Sequence, residues 1–187
     1  MSEEIFNHPA WVEIDIAQFK QNLIAIKQHI GSHTKLCVPV KANAYGHGLV
    51  NIGHACAEVR ADYLAVSCLQ EGKILRKANI NIPILVLGAI HIEQISDFIQ
   101  YDLEFTIASQ YKARIVAETC KKLDKTVKVH LEIDTGMQRT GVRVETAPQV
   151  LDYMQEAGCF VVKGVYSHLA TADEPKHAFQ VCKHKVS

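Results

Sequence analysis

Lys41 closes an apolar run, Leu36–Val40, and opens the stretch Lys41-Ala42-Asn43-Ala44-Tyr45-Gly46-His47-Gly48. A lysine held at a strand end, out of bulk water, loses its proton more easily than a free ammonium and can serve as nucleophile or base. Taken alone, such a lysine is more often an ordinary solvated strand end. Tyr45 adds a hydroxyl close by. A second set of groups follows Val127. There Val127, Val129, Leu131 and Ile133 alternate with Lys128, His130, Glu132 and Asp134, which gives a strand one apolar and one polar face. Arg139 sits in the glycine-bearing loop after it, a permanently charged fork suited to an anion. His168 ends a third apolar run and shares a face with Gly164 and Tyr166. Its ordinary alternative is a satisfied core histidine. The sequence has ten histidines and six cysteines, but no His-Glu-x-x-His and no quartet with zinc-finger spacing. No metal site is expected.

These groups need a scaffold. Six apolar runs suit strands: Leu36–Val40, Tyr63–Ser67, Ile84–Leu87, Leu103–Ile107, Val127–Asp134 and Phe160–Ser167. They recur about every 25 residues, enough for one strand and one helix per unit. Amphipathic stretches lie between them. Ile16, Phe19, Leu23, Ile26 and Ile30 form one stripe, with Asp15 and Gln18 as a capping box. Leu49, Ile52, Cys56 and Val59 form another. Ser67 and Gln70 predict a capping box before Ile74 and Leu75. Ser109 opens a helix carrying Ile115, Val116, Cys120 and Leu123. Thr146 opens the next, with Pro148 in its first turn and Gly158 past its end.

Strand–helix alternation of this kind gives an α/β protein with a parallel sheet. An open doubly wound sheet and a (β/α)8 barrel both fit. The polar row Lys128, His130, Glu132, Asp134 favours the barrel, because four polar groups would be costly inside a flat sheet covered by helices. Barrel chemistry sits at the C-terminal ends of the strands, where Lys41, Arg139 and His168 fall.

Composition narrows the function. The 187 residues are 48% hydrophobic, with 20 basic and 20 acidic side chains. The apolar content excludes a disordered chain. Zero net charge argues against nucleic acid or an anionic membrane as partner. No segment reads as a membrane span or signal peptide. The cysteines form no Cys-x-x-Cys pair, which suits reduced thiols and a cytoplasmic location.

The octapeptide from Lys41 resembles the pyridoxal-phosphate attachment signature of the bacterial alanine racemases. Ile133-Asp134-Thr135-Gly136-Met137-Gln138-Arg139-Thr140-Gly141 is similar to the family's loop after its fifth strand. Gly164-Val165-Tyr166-Ser167-His168-Leu169-Ala170-Thr171-Ala172-Asp173 is similar to its sixth-strand segment. Trp11–Asp15 and Ile84–Gly88 also fit, so the resemblance runs from about Ala10 to Pro175, with a poorer tail from Lys176. It implies a (β/α)8 TIM-type barrel, of which residues 1–187 hold a pyridoxal-phosphate-binding domain with about six of eight units and no C-terminal β-domain. It implies an isomerase that interconverts L-alanine and D-alanine, supplying D-alanine for peptidoglycan, and that works as a homodimer. Lys41 would form the Schiff base with pyridoxal 5'-phosphate and take the α-proton of one isomer. Tyr45 would reach the cofactor phosphate. Arg139 would bond the phenolic oxygen and lie near the substrate carboxylate. His168 would pack beside the ring, and Leu87 would line the pocket.

Two departures follow. The family's second base, a tyrosine, belongs to the β-domain, so little racemisation is expected of these 187 residues alone. Some relatives carry a carbamylated lysine where Glu132 stands, and a Glu132–Arg139 pair is expected to supply that charge directly. A serine racemase and a non-catalytic pyridoxal-phosphate-binding protein remain as alternatives.

Overall fold

The computed structural model describes residues 10–173. The elements run α1 (Ile16–Ile30), β1 (Cys37–Pro39), α2 (Lys41–Tyr45), α3 (Leu49–Glu58), β2 (Tyr63–Val66), α4 (Leu69–Lys77), β3 (Ile84–Val86), α5 (Ile95–Gln100), β4 (Glu104–Ile107), α6 (Gln110–Leu123), β5 (Val127–Asp134), β6 (Val142–Arg143), α7 (Ala147–Ala157) and β7 (Phe160–Ser167). Strands β1 to β5 are parallel neighbours in chain order, and β7 lies parallel against β5. This is the partial TIM-barrel-type fold that the alternation of patterns predicts, with a strand inside each of the six expected runs, β1 and β3 being only three residues long. The two-residue β6, parallel to the end of β5, is an addition that no periodicity announces.

One face of the sheet is apolar and covered by helices. Val40, Leu64, Val66, Ile84, Val86, Phe105, Ile107, Val129 and Leu131 are fully buried there against Leu75, Phe98, Val116 and Met154. Burying each such side chain contributes about 1.5–3 kcal/mol. The opposite, inner face carries the alternate residues. Among the described residues, Glu104, Thr106, His130 and Glu132 are the buried polar side chains, and they come from β4 and β5. Helix coverage on one side and a buried polar row on the other is the pattern of a sheet curled into a barrel.

Local signals act mostly as expected. Asp15 caps α1 by accepting the Gln18 N–H at 2.8 Å, but the Gln18 side chain turns to Asn22 and leaves the capping box half formed. Ser109 caps α6, accepting the Lys112 N–H at 3.1 Å. The Ser67–Gln70 box is a correction. Helix α4 starts one residue later, with Cys68 in the N-cap position, and Ser67 bonds Glu71 instead. The described cysteines are all free, and Cys182 lies outside the described residues.

Candidate active site

Lys41 follows β1 directly and is half-buried. The four residues after it wind left-handed, with φ between 52° and 55° at Ala42, Asn43, Ala44 and Tyr45. Asn43 organises this turn. Its side-chain oxygen accepts the Leu49 N–H at 2.8 Å, and its carbonyl accepts the N–H groups of Gly46 and Gly48. Glu71 of α4 braces the turn from outside, accepting the Asn43 N–H at 3.3 Å and both the N–H and hydroxyl of Ser67 at 2.8 and 2.7 Å. Burial pushes the Glu71 carboxyl up, yet the bonds from Ser67 and Asn43 win and hold it below its ordinary value. Tyr45 projects from the turn, 59% exposed. The brace by Glu71 was not foreseen. Its only trace in the sequence is an acidic residue one position beyond the expected box.

On the inner face, the polar side chains of β5 form a ladder whose rungs differ. At the foot, Lys128 Nζ lies 2.6 Å from Asp102. Next, His130 Nε2 lies 2.6 Å from Glu104 Oε2, and the Tyr63 ring meets the imidazole edge-on, centroids 5.8 Å apart. Gly164 of β7 faces the other side of that imidazole. A Cβ there would stand 3.0 Å from His130 Nδ1, so glycine leaves the room the ring needs. At the top, Asp134 accepts the N–H groups of Gly136 and Gln138 at 2.8 and 3.0 Å, shaping the loop that carries Arg139.

The third rung, Glu132, behaves differently. It is 4% exposed, and its Oε2 is buried with no hydrogen-bond partner. Thr140 and Tyr166 are its polar neighbours, and Arg139 and His168 are close enough to act on it by charge. The expected Glu132–Arg139 pair is not formed: among the described residues Glu132 takes part in no ion pair, and Arg139 is exposed at the loop surface. Arg139 lines a cavity of about 550 Å³ together with Asp134, Gln138, Thr140, Arg143 and Glu145. Burial pushes the Glu132 carboxyl up, more than Thr140, Arg139, Tyr166 and His168 pull it down. Tyr166, beside it, is also pushed up by burial, to about 12. The Tyr166 hydroxyl lies 2.8 Å from that of Thr106, which in turn donates to the Val86 carbonyl at 3.0 Å.

The structure thus brings Arg139 and His168 together around Glu132 and Tyr166. Lys41 and Tyr45 share the C-terminal edge of the sheet with them, without a direct contact. Leu87 follows β3 at the same edge, half-buried. Sequence reasoning missed the parts of Thr106 and Tyr166, because neither residue type signals chemistry until strand register sets them side by side.

A partial barrel of parallel strand–helix units, with a lysine, an arginine-bearing loop and a histidine along the C-terminal edge, defines an α/β domain of TIM-barrel type. The family follows from comparison. Residues 14–185 match the family described as alanine racemase, N-terminal domain. The alanine racemase of Nostoc sp. is 38% identical over 183 residues, covering 96% of this chain and 47% of the relative. Alanine racemase 1 of Bacillus subtilis is 39% identical over 184 residues, covering 96% and 46%. The solved alanine racemase of Clostridium difficile 630 superposes with a TM-score of 0.89 at 33% identity, covering 96% of this chain and 48% of that one. The chain belongs to the alanine racemase N-terminal domain family. It spans about half the length of the curated relatives it matches. The match also runs ten residues beyond Pro175, so the tail is closer to the family than its residues suggested.

Proposed function

We propose that this chain is the cofactor-bearing barrel part of a pyridoxal-phosphate-dependent alanine racemase, interconverting L- and D-alanine. The observation that carries the reading is Lys41, held by a tied-down left-handed turn at the strand edge where Arg139 and His168 also stand. The donor set fits the cofactor: a half-buried amine for its aldehyde, an exposed cation for its anionic ring substituent, and an imidazole beside them. When bound, the cofactor supplies the electron sink that stabilises charge at the substrate α-carbon. Lys41 would hold the cofactor and exchange the α-proton at its Nζ on one face. Arg139 would orient the substrate carboxylate. His168 would support the ring and Tyr45 the phosphate. A racemase needs a second base on the opposite face, and a dimer of the complete protein is the arrangement proposed to provide it.

The test uses the complete protein reconstituted with pyridoxal phosphate. An imine absorbance band, lost in Lys41→Ala, and D-alanine formation from L-alanine, lost in the same variant, are the expected results. A protein that binds the cofactor equally well without Lys41 would overturn the assignment.

A further inference from the structure

We infer that Glu132 is a neutral, protonated acid before cofactor binds and so supplies no counter-charge to Arg139, which is left to meet an anionic ligand. This rests on the racemase reading only for the identity of that anion. Three observations carry it. First, the carboxyl is 4% exposed, has no ion-pair partner among the described residues, and leaves Oε2 buried and unbonded. A buried carboxylate in that state is costly, whereas a protonated one is not.

Second, the Tyr166 proton is committed, so of the two hydroxyl neighbours only Thr140 is placed to donate. The Val86 carbonyl can only accept, so the Thr106 hydroxyl must donate to it. Thr106 Oγ1 then accepts from the Tyr166 hydroxyl 2.8 Å away. A tyrosine has one proton. The side of Tyr166 that faces Glu132 therefore offers lone pairs only, and two oxygens meeting lone pair to lone pair repel. A proton on Glu132 removes the repulsion.

Third, the basic side chains are outside pairing range. Arg139 and His168 act on Glu132 through space, from the loop after β5 and from the end of β7, and neither closes onto it. The other ionisable groups on this face of its strand have partners elsewhere: Lys128 with Asp102, His130 with Glu104, and Asp134 in its loop. Burial accordingly sets the balance and raises the carboxyl above its ordinary 4.5. A group whose folded-state pKa is raised stabilises the fold below its unfolded pKa. That contribution is lost as pH rises through the folded value. Glu132 thus meets Arg139 as an uncharged neighbour and not as its counter-ion.

The infrared spectrum of the cofactor-free protein tests this without any assay of catalysis. On titration upward from acid pH a protonated-carboxyl band is expected that persists above the ordinary 4.5, shifts on glutamate 13C labelling and disappears in Glu132→Gln. Glu132→Asp, which keeps the acid, should move the band rather than remove it, and serves if the glutamine variant does not fold. The fall in thermal midpoint as pH rises above 4.5 should flatten in Glu132→Gln. A wild-type spectrum without the band, or a band untouched by both substitutions, would overturn the inference. Failure of the imine band with the inference intact would refute the racemase reading alone.

Discussion

Two rungs of one strand, His130 and Glu132, make an instructive pair. Both point to the inner face, both are at least nine-tenths buried, and both come from the same polar alternation. His130 is closed on every side: Glu104 at 2.6 Å, the Tyr63 edge, and room kept by Gly164. Glu132 has an oxygen with nothing to bond, and two basic side chains that stop short of it. A satisfied buried pair holds a fold in one arrangement. An unsatisfied buried group marks where a structure is kept ready for something else. The contrast separates scaffold from site within a span of three residues.

The comparison can be broken at three points. Glu104→Ala strips the buried imidazole of its partner and should cost about 3–5 kcal/mol by urea unfolding, the range for halving a buried pair. If it costs no more than a surface change, the lower rung is not structural. Gly164→Ala places a methyl 3.0 Å from an imidazole that Glu104 and Tyr63 hold in place. It should cost about 1–3 kcal/mol. Relief of that cost in the Gly164→Ala, His130→Ala double variant would locate the strain at this contact. Thr106→Val, the mildest change, removes one hydroxyl and should cost about 1 kcal/mol. It also frees the Tyr166 proton to donate to Glu132. The pH at which the Glu132 acid band is lost should then drop by about one unit, as expected for a new bond to a charged group. An unchanged midpoint would show that Tyr166 does not control Glu132.

Much of this was legible beforehand, for a physical reason. Strands buried on both faces show as apolar runs, and the polar alternation of Val127–Asp134 told that one face was lined by hydrogen-bonding groups. Lys41, Arg139 and His168 stood out because strand ends in a barrel point to one rim. What stayed hidden depends on register. Glu104 looks like a solvated charge until β4 pairs Thr106 with His130, which brings the Glu104 and His130 side chains to the same level. The failure of Glu132 to reach Arg139 depends on the path of a short loop, which no periodicity encodes. The left-handed turn was equally invisible, since Ala-Asn-Ala-Tyr has no preference for that hand.

That turn has a consequence for how the sequence can change. Left-handed winding costs an L-residue on the order of 1–2 kcal/mol, and glycine escapes the cost. Ala42 is exposed, so Ala42→Gly would empty no core space and should raise stability. The same change would slacken the lever that aims the Lys41 amine. Selection for heat resistance alone would therefore drift toward glycine beside the lysine, and selection for turnover would resist it.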